Sequence, residues 1–130
     1  MDVGSNLGFY SLLAIAMGHD AYVFDIQPVC LFNLYSLAKK EHIPLLHIFN
    51  VGMSDSEQTV INAEGGCDYE NFYMAEEEKE NYKSIDSKKA GIGVRVPVVR
   101  MDHWVKLMGD KLKAPIQVLK MDTEGAGKKI

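Results

Sequence analysis

Between residues 9 and 51 the spacing of apolar residues switches from helical to extended and back again, and that alternation restricts the chain to few folds. Phe9, Leu12, Leu13 and Ala16 follow the i, i+3, i+4, i+7 spacing of one helix face. Gly18 closes that run as a C-terminal glycine commonly does, and Ala21-Tyr22-Val23-Phe24 reads as a buried strand. A second helix follows Pro28, with Leu31, Leu34, Tyr35 and Ala38 on one face and Lys39 and Lys40 at its C-terminal end, where the helix dipole favours cations. Residues 45–51, introduced by Pro44, are long enough for another strand. Strand, helix, strand, helix, strand is the order that builds an α/β fold, a parallel sheet with helices on both faces.

Ahead of the first helix stands Met1-Asp2-Val3-Gly4-Ser5-Asn6-Leu7-Gly8, an acidic residue and two glycines before an amphipathic run. This reads as a strand end, a tight loop and a helix start, the geometry of a nucleotide-type cofactor site. Gly4 and Gly8 leave no side chain between the backbone and a ligand. A strand there normally needs about five or six residues, so with only Met1 to Val3 before Gly4 the first strand is expected to be missing. Ligands of such sheets lie beyond the carboxyl ends of the strands. Asp2, Asp25, Ser54 with Asp55, and Asp122 with Glu124 all fall at such ends. Asp25 lies about twenty residues after the loop, where a carboxylate accepts from ribose hydroxyls, although it suits equally well the capping of the helix after Pro28. A nicotinamide-binding loop would read G-x-G-x-x-G, and Asn6 stands where its middle glycine belongs. The Asp2 carboxylate beside the loop would repel a pyrophosphate and suit a cationic ligand such as S-adenosylmethionine.

Beyond residue 51 the periodicity weakens. Thr59-Val60-Ile61 fits a short strand, and residues 62–90 an irregular insertion in which the acidic run Glu76-Glu77-Glu78 forms a solvated helix face. Residues 93–99 alternate like an edge strand that tolerates Pro97. Asp102 is placed to cap a helix carrying Trp104, Val105 and Met108. Residues 116–121 read as a fourth sheet strand ending at Asp122.

A formal charge of −4, with lysines and acids intermixed, provides no electrostatic footprint for nucleic acid. Cys30 and Cys67 lie far apart, without the neighbours that zinc-ligand spacing requires, and read as ordinary thiols. His19, His42, His47 and His103 likewise show no metal-ligand spacing. No apolar run has the length of a membrane span. Localisation stays open, cytoplasmic by default, because a targeting segment could precede Met1. Tyr69, Phe72 and Tyr73 suit packing against the sheet better than an acceptor pocket.

Taken in order, Asp2-Val3-Gly4-Ser5-Asn6-Leu7-Gly8-Phe9-Tyr10-Ser11, Phe24-Asp25-Ile26-Gln27-Pro28, Asn50-Val51-Gly52-Met53-Ser54-Asp55 and Leu119-Lys120-Met121-Asp122-Thr123-Glu124-Gly125-Ala126 resemble the motif set of FkbM-type S-adenosylmethionine-dependent methyltransferases. The resemblance covers most of the chain outside residues 62–90. It implies a Rossmann-like class I methyltransferase fold truncated at both ends, represented by its cofactor-binding part. It also implies S-adenosylmethionine held by the loop from Asp2 to Gly8, with Asn6 and Tyr10 lining it, Asp25 on the ribose, Gln27 close by, and Ser54 and Asp55 near the adenine. Asp122 and Glu124 would face the methyl donor and acceptor, either being a candidate base. The implied reaction is O-methylation of a sugar or other small-molecule acceptor. Asp25-Ile26 replaces the usual Glu-Pro, and Gly127 stands where glutamate is usual. The other readings of the residues are a nicotinamide-dependent oxidoreductase and a noncatalytic Rossmann-like remnant.

Overall fold

The computed structural model describes residues 1–62, 67, 73–75, 94–112 and 115–123. Asp2–Val3 forms β1, followed by α1 (Phe9–Ala16), β2 (Ala21–Phe24), α2 (Pro28–Lys40) and β3 (Leu46–Phe49). Then come β4 (Gly52–Ser54), β5 (Gln58–Asn62), β6 (Tyr73–Ala75), β7 (Val94–Arg100), α3 (Met101–Met108) and β8 (Lys120–Met121). A 3₁₀ turn, Gly109–Lys111, follows α3.

β1, β2, β3 and β8 form one wholly parallel sheet in the order β3-β2-β1-β8. The expected absence of a first strand is therefore corrected. Asp2–Val3 forms β1 between β2 and β8, with Asp2 opposite both Val23 and Lys120. Strand order reverses beside β1, where a doubly wound sheet opens its ligand crevice. β8 is shorter than residues 116–121 suggested, since its ladder extends only alongside β1. Below it, the Met1 amino group donates to the Val118 carbonyl at 2.7 Å.

All four residues of β2 are buried, as in a strand covered on both faces. Ala21 and Val23 pack with Leu31 and Leu34 of α2 and with Leu12 and Ile15 of α1. Tyr22 and Phe24 face the other way, toward Trp104 of α3, whose ring meets Phe24 edge-on at 4.7 Å. Helices thus cover both faces. The buried stripe of α1 is not the expected one: Ser11 is buried and Leu12 and Ile15 pack inward, whereas Phe9 and Leu13 are exposed. Nearly every residue of this helix is apolar, so periodicity alone does not single out a face. In α2, Tyr35 is likewise exposed beside the buried Leu31 and Leu34.

Residues 45–51 do not form one continuous strand. β3 ends at Phe49, and β4 crosses into a second sheet of order β4-β7-β5-β6. There β7 is an interior strand, parallel to β4 and antiparallel to β5, which corrects its reading as an edge. Pro97 lies opposite Thr59 of β5, one residue before pairing with β4 begins at Val98. β6 lies within the expected irregular insertion and pairs with β5; the acidic run 76–80 lies outside the described residues. Asp102 is not the N-cap of α3, which is Arg100; it stands in the first turn and grips the Arg100 guanidinium through both oxygens at 3.0 and 2.7 Å.

The reading of Cys30 and Cys67 as free thiols is overturned. They form a disulfide, with Cα atoms 5.3 Å apart across 37 residues of sequence. Among the described residues no helix is long and apolar enough to cross a membrane.

Candidate functional site

The loop between β1 and α1 is wound through three left-handed residues, Gly4, Asn6 and Gly8, with φ of 68°, 50° and 74°. Two of these are glycines for packing reasons as well. A Cβ on Gly4 would overlap the carbonyl oxygen of Asp122, and one on Gly8 would lie 2.6 Å from the Leu34 side chain of α2. The loop therefore sits tightly between the end of β8 and the second helix. Its crest, Asn6 and Leu7, is exposed.

The loop amides turn toward the end of β2. Gly4 and Ser5 both donate to the Phe24 carbonyl, at 2.9 and 3.2 Å, and Asn6 donates its backbone N–H to Asp25 Oδ2 at 2.8 Å. Gln27 closes the other side, its N–H donating to Asp25 Oδ1 at 2.8 Å. The Asp25 carbonyl accepts from the Asn50 side chain at 2.9 Å. Asp25 is buried, and burial pushes its carboxyl above the usual 3.8 while the Gln27 and Asn6 amides pull it back. Asp25 does not cap α2; Gln27 is the N-cap residue, and its Oε1 lies 2.9 Å from Cys30 Sγ. Asn6 also reaches Cys67, donating from Nδ2 to its carbonyl at 3.0 Å. Asn6, Asp25 and Gln27, separated in sequence, are thus brought together.

Asp2 is placed differently from its expected role. Its carboxylate is buried beneath the loop, accepting from Ser11 Oγ at 2.7 Å and lying 3.1 Å from the Lys120 ammonium. Its charge is met inside the protein, so it cannot be what disfavours a pyrophosphate. The amides of Gly4, Ser5 and Asn6 already have protein acceptors at the end of β2. Tyr10 is exposed, with the Lys120 ammonium 5.7 Å from its ring centre. Asp2 and Tyr10 also line an open groove between α1 and the approach to β8 that extends to the start of β2, away from the carboxyl ends of the strands.

Asp122 is exposed at the carboxyl end of β8, its backbone against Gly4 and its N–H donating to Val3. Glu124 lies outside the described residues. Ser54 lies in β4 of the second sheet, opposite Arg100, and its hydroxyl donates to Asp55. Residues that sequence reasoning passed over are Asn50, Cys67 and Lys120. Only Lys120 carried a signal, a lone charge within an apolar strand run, which requires a buried partner.

A parallel sheet of order β3-β2-β1-β8, with a glycine loop at its switch point and a carboxylate at the end of β2, defines a Rossmann-like α/β protein. The model of the methyltransferase FkbM domain matches residues 2–130, and the chain belongs to that family. It is a methyltransferase, of a family that generally uses S-adenosylmethionine, and this decides against the nicotinamide oxidoreductase. No curated protein and no solved structure matches the chain.

Proposed function

We propose that the protein transfers a methyl group from S-adenosylmethionine to a hydroxyl oxygen of a sugar or other small-molecule acceptor. The observation that carries the donor assignment is the commitment of the loop amides to Phe24 and Asp25, which suits a cofactor without phosphates. Asp25 fits the ribose: each carboxylate oxygen accepts one backbone N–H and keeps a lone pair for a hydroxyl. Two buried hydroxyls, Ser5 Oγ and Thr123 Oγ1, have no hydrogen-bond partner among the described residues. They fit a ligand bearing polar groups at the switch point.

In this reading the loop from Gly4 to Gly8 holds the cofactor, with Asn6 and Tyr10 beside it, Asp25 and Gln27 at the ribose, and Ser54 and Asp55 toward the adenine. When bound, S-adenosylmethionine supplies a sulfonium-activated methyl group. The protein's share is placement, since in-line displacement gains most from aligned reactants. Asp122, exposed beside Gly4, or Glu124 takes the proton of the acceptor hydroxyl. The acceptor class follows the family resemblance.

Calorimetric titration with S-adenosylhomocysteine and with NAD tests the donor. The homocysteine compound should bind and NAD should not, and Asp25→Asn should weaken the former by about tenfold or more while the fold is retained. Binding of NAD alone would sink the assignment. Turnover with hydroxylated acceptors separates an enzyme from a cofactor-binding remnant.

A further inference from the structure

We propose that Lys120 is a positioning residue for the glycine loop: it holds the peptide between Gly4 and Ser5 in the orientation that receives the amino-acid end of S-adenosylmethionine. The inference rests on the cofactor reading above and adds to it a residue on the far side of the switch point.

That single peptide is held at both of its polar ends. Its N–H, from Ser5, donates to the Phe24 carbonyl of β2 at 3.2 Å, and its C=O, from Gly4, accepts from Lys120 Nζ of β8 at 2.6 Å. One peptide plane therefore spans the central strand and joins its two neighbours. Gly4 has a φ of 68°, and a glycine backbone rotates at little cost. Without a fixed donor on the carbonyl, the low-cost alternative is a flip of this peptide, which takes the N–H off β2 and turns the carbonyl elsewhere. An ammonium has three donors and no acceptor, so Lys120 stabilises only the unflipped state.

Lys120 is itself held. Its side chain is 23% exposed and lies 3.1 Å from Oδ1 of the nearly buried Asp2, whose other oxygen accepts from Ser11 in the first turn of α1. Ser11, Asp2, Lys120 and Gly4 thus tie the helix start, the central strand, β8 and the loop into one polar chain. A cation at this depth carries a desolvation cost that the Asp2 carboxylate offsets. Ser5 Oγ belongs to the residue whose N–H the peptide carries, and the methyl of Thr123 lies 3.5 Å from where a Cβ on Gly4 would stand. Ser5, whose hydroxyl has no partner among the described residues, is thus part of the peptide that Lys120 holds, and Thr123, whose hydroxyl likewise has none among them, packs against Gly4. An amino-acid group, with its ammonium and carboxylate, has the donors and acceptors to match them; Asp25, on the neighbouring strand, belongs to the ribose end.

The test is calorimetric titration of the full chain and its K120M, K120Q and K120R variants with S-adenosylhomocysteine and with 5′-methylthioadenosine, which lacks the amino-acid end, alongside thermal denaturation. K120M should weaken S-adenosylhomocysteine by about tenfold or more and change methylthioadenosine by less than about twofold, with K120R restoring part of the loss. If K120M does not fold, K120Q, which keeps an N–H donor without the charge, is judged by the same criterion. Equal weakening of both ligands, or unchanged S-adenosylhomocysteine binding in a folded variant, would overturn the proposal and leave Lys120 as a structural ion pair. If the parent binds neither nucleoside, the cofactor reading falls and takes this inference with it. If the parent and K120M bind both alike, only the Lys120 assignment falls.

Discussion

The backbone N–H of Asn6 donates to Asp25 Oδ2 at 2.8 Å, joining the crest of the glycine loop to the end of β2 across 19 residues of sequence. This bond makes the loop's shape depend on the charge of one buried carboxyl. Burial raises the Asp25 value above its unfolded one, so the ionised group opposes folding at neutral pH, and that penalty is relieved as pH falls through the folded-state value. Ligand binding should run the opposite way, because protonation removes an acceptor from the ribose. S-adenosylhomocysteine affinity is therefore expected to fall with pH at a point above 3.8, and the dependence should disappear in Asp25→Asn. Calorimetry across the acidic range, paired with melting curves, measures both signs.

Gly4→Ala should destabilise the protein by about 1–3 kcal/mol or more, through a strained positive φ and overlap with the Asp122 carbonyl. The check is thermal denaturation. A variant that melts like the parent would mean that the loop does not pack against β8 as described.

The disulfide ties Cys67, whose carbonyl holds the Asn6 side chain, to the first turn of α2. Thiol titration of the unfolded, unreduced chain should find no free thiol. Reduction, which takes two electrons and two protons from a dithiol, should lower stability by about 3–4 kcal/mol for a closed loop of this size.

Trp104 is the chain's single tryptophan and is buried against Tyr22, Phe24 and Phe49. Its fluorescence should be blue-shifted and should move to longer wavelength in the same transition that far-UV circular dichroism reports. Trp104→Ala should cost about 3–5 kcal/mol, because the cavity opens between α3 and the central sheet.

Much of the parallel half was legible from local pattern. Helices α1 and α2, strand β2 and the loop between β1 and α1 are short-range features, dictated by apolar spacing, the glycines and Pro28, and the position of Asp25 at a strand end followed from them. What local pattern could not supply were relationships between segments. The face that α1 buries was hidden because the helix is apolar nearly all round. Residues 45–51 are apolar throughout, so nothing in them announced that β3 would stop at Phe49 and the chain cross into a second sheet. Pro97 pointed to an edge, yet β7 is interior, paired with β5 on one side, where Pro97 lies opposite Thr59, and with β4 on the other from Val98 onward. Cys30 and Cys67 were distant only along the chain. Asp2 was recognised as acidic and next to the loop, but whether its charge faced a ligand or another side chain depended on Lys120, which lies 118 positions away and is brought opposite by the β1–β8 pairing. Backbone conformation is set by neighbours a few residues apart, whereas the pairing of buried charges and sulfurs is set by which strands the completed sheet makes adjacent.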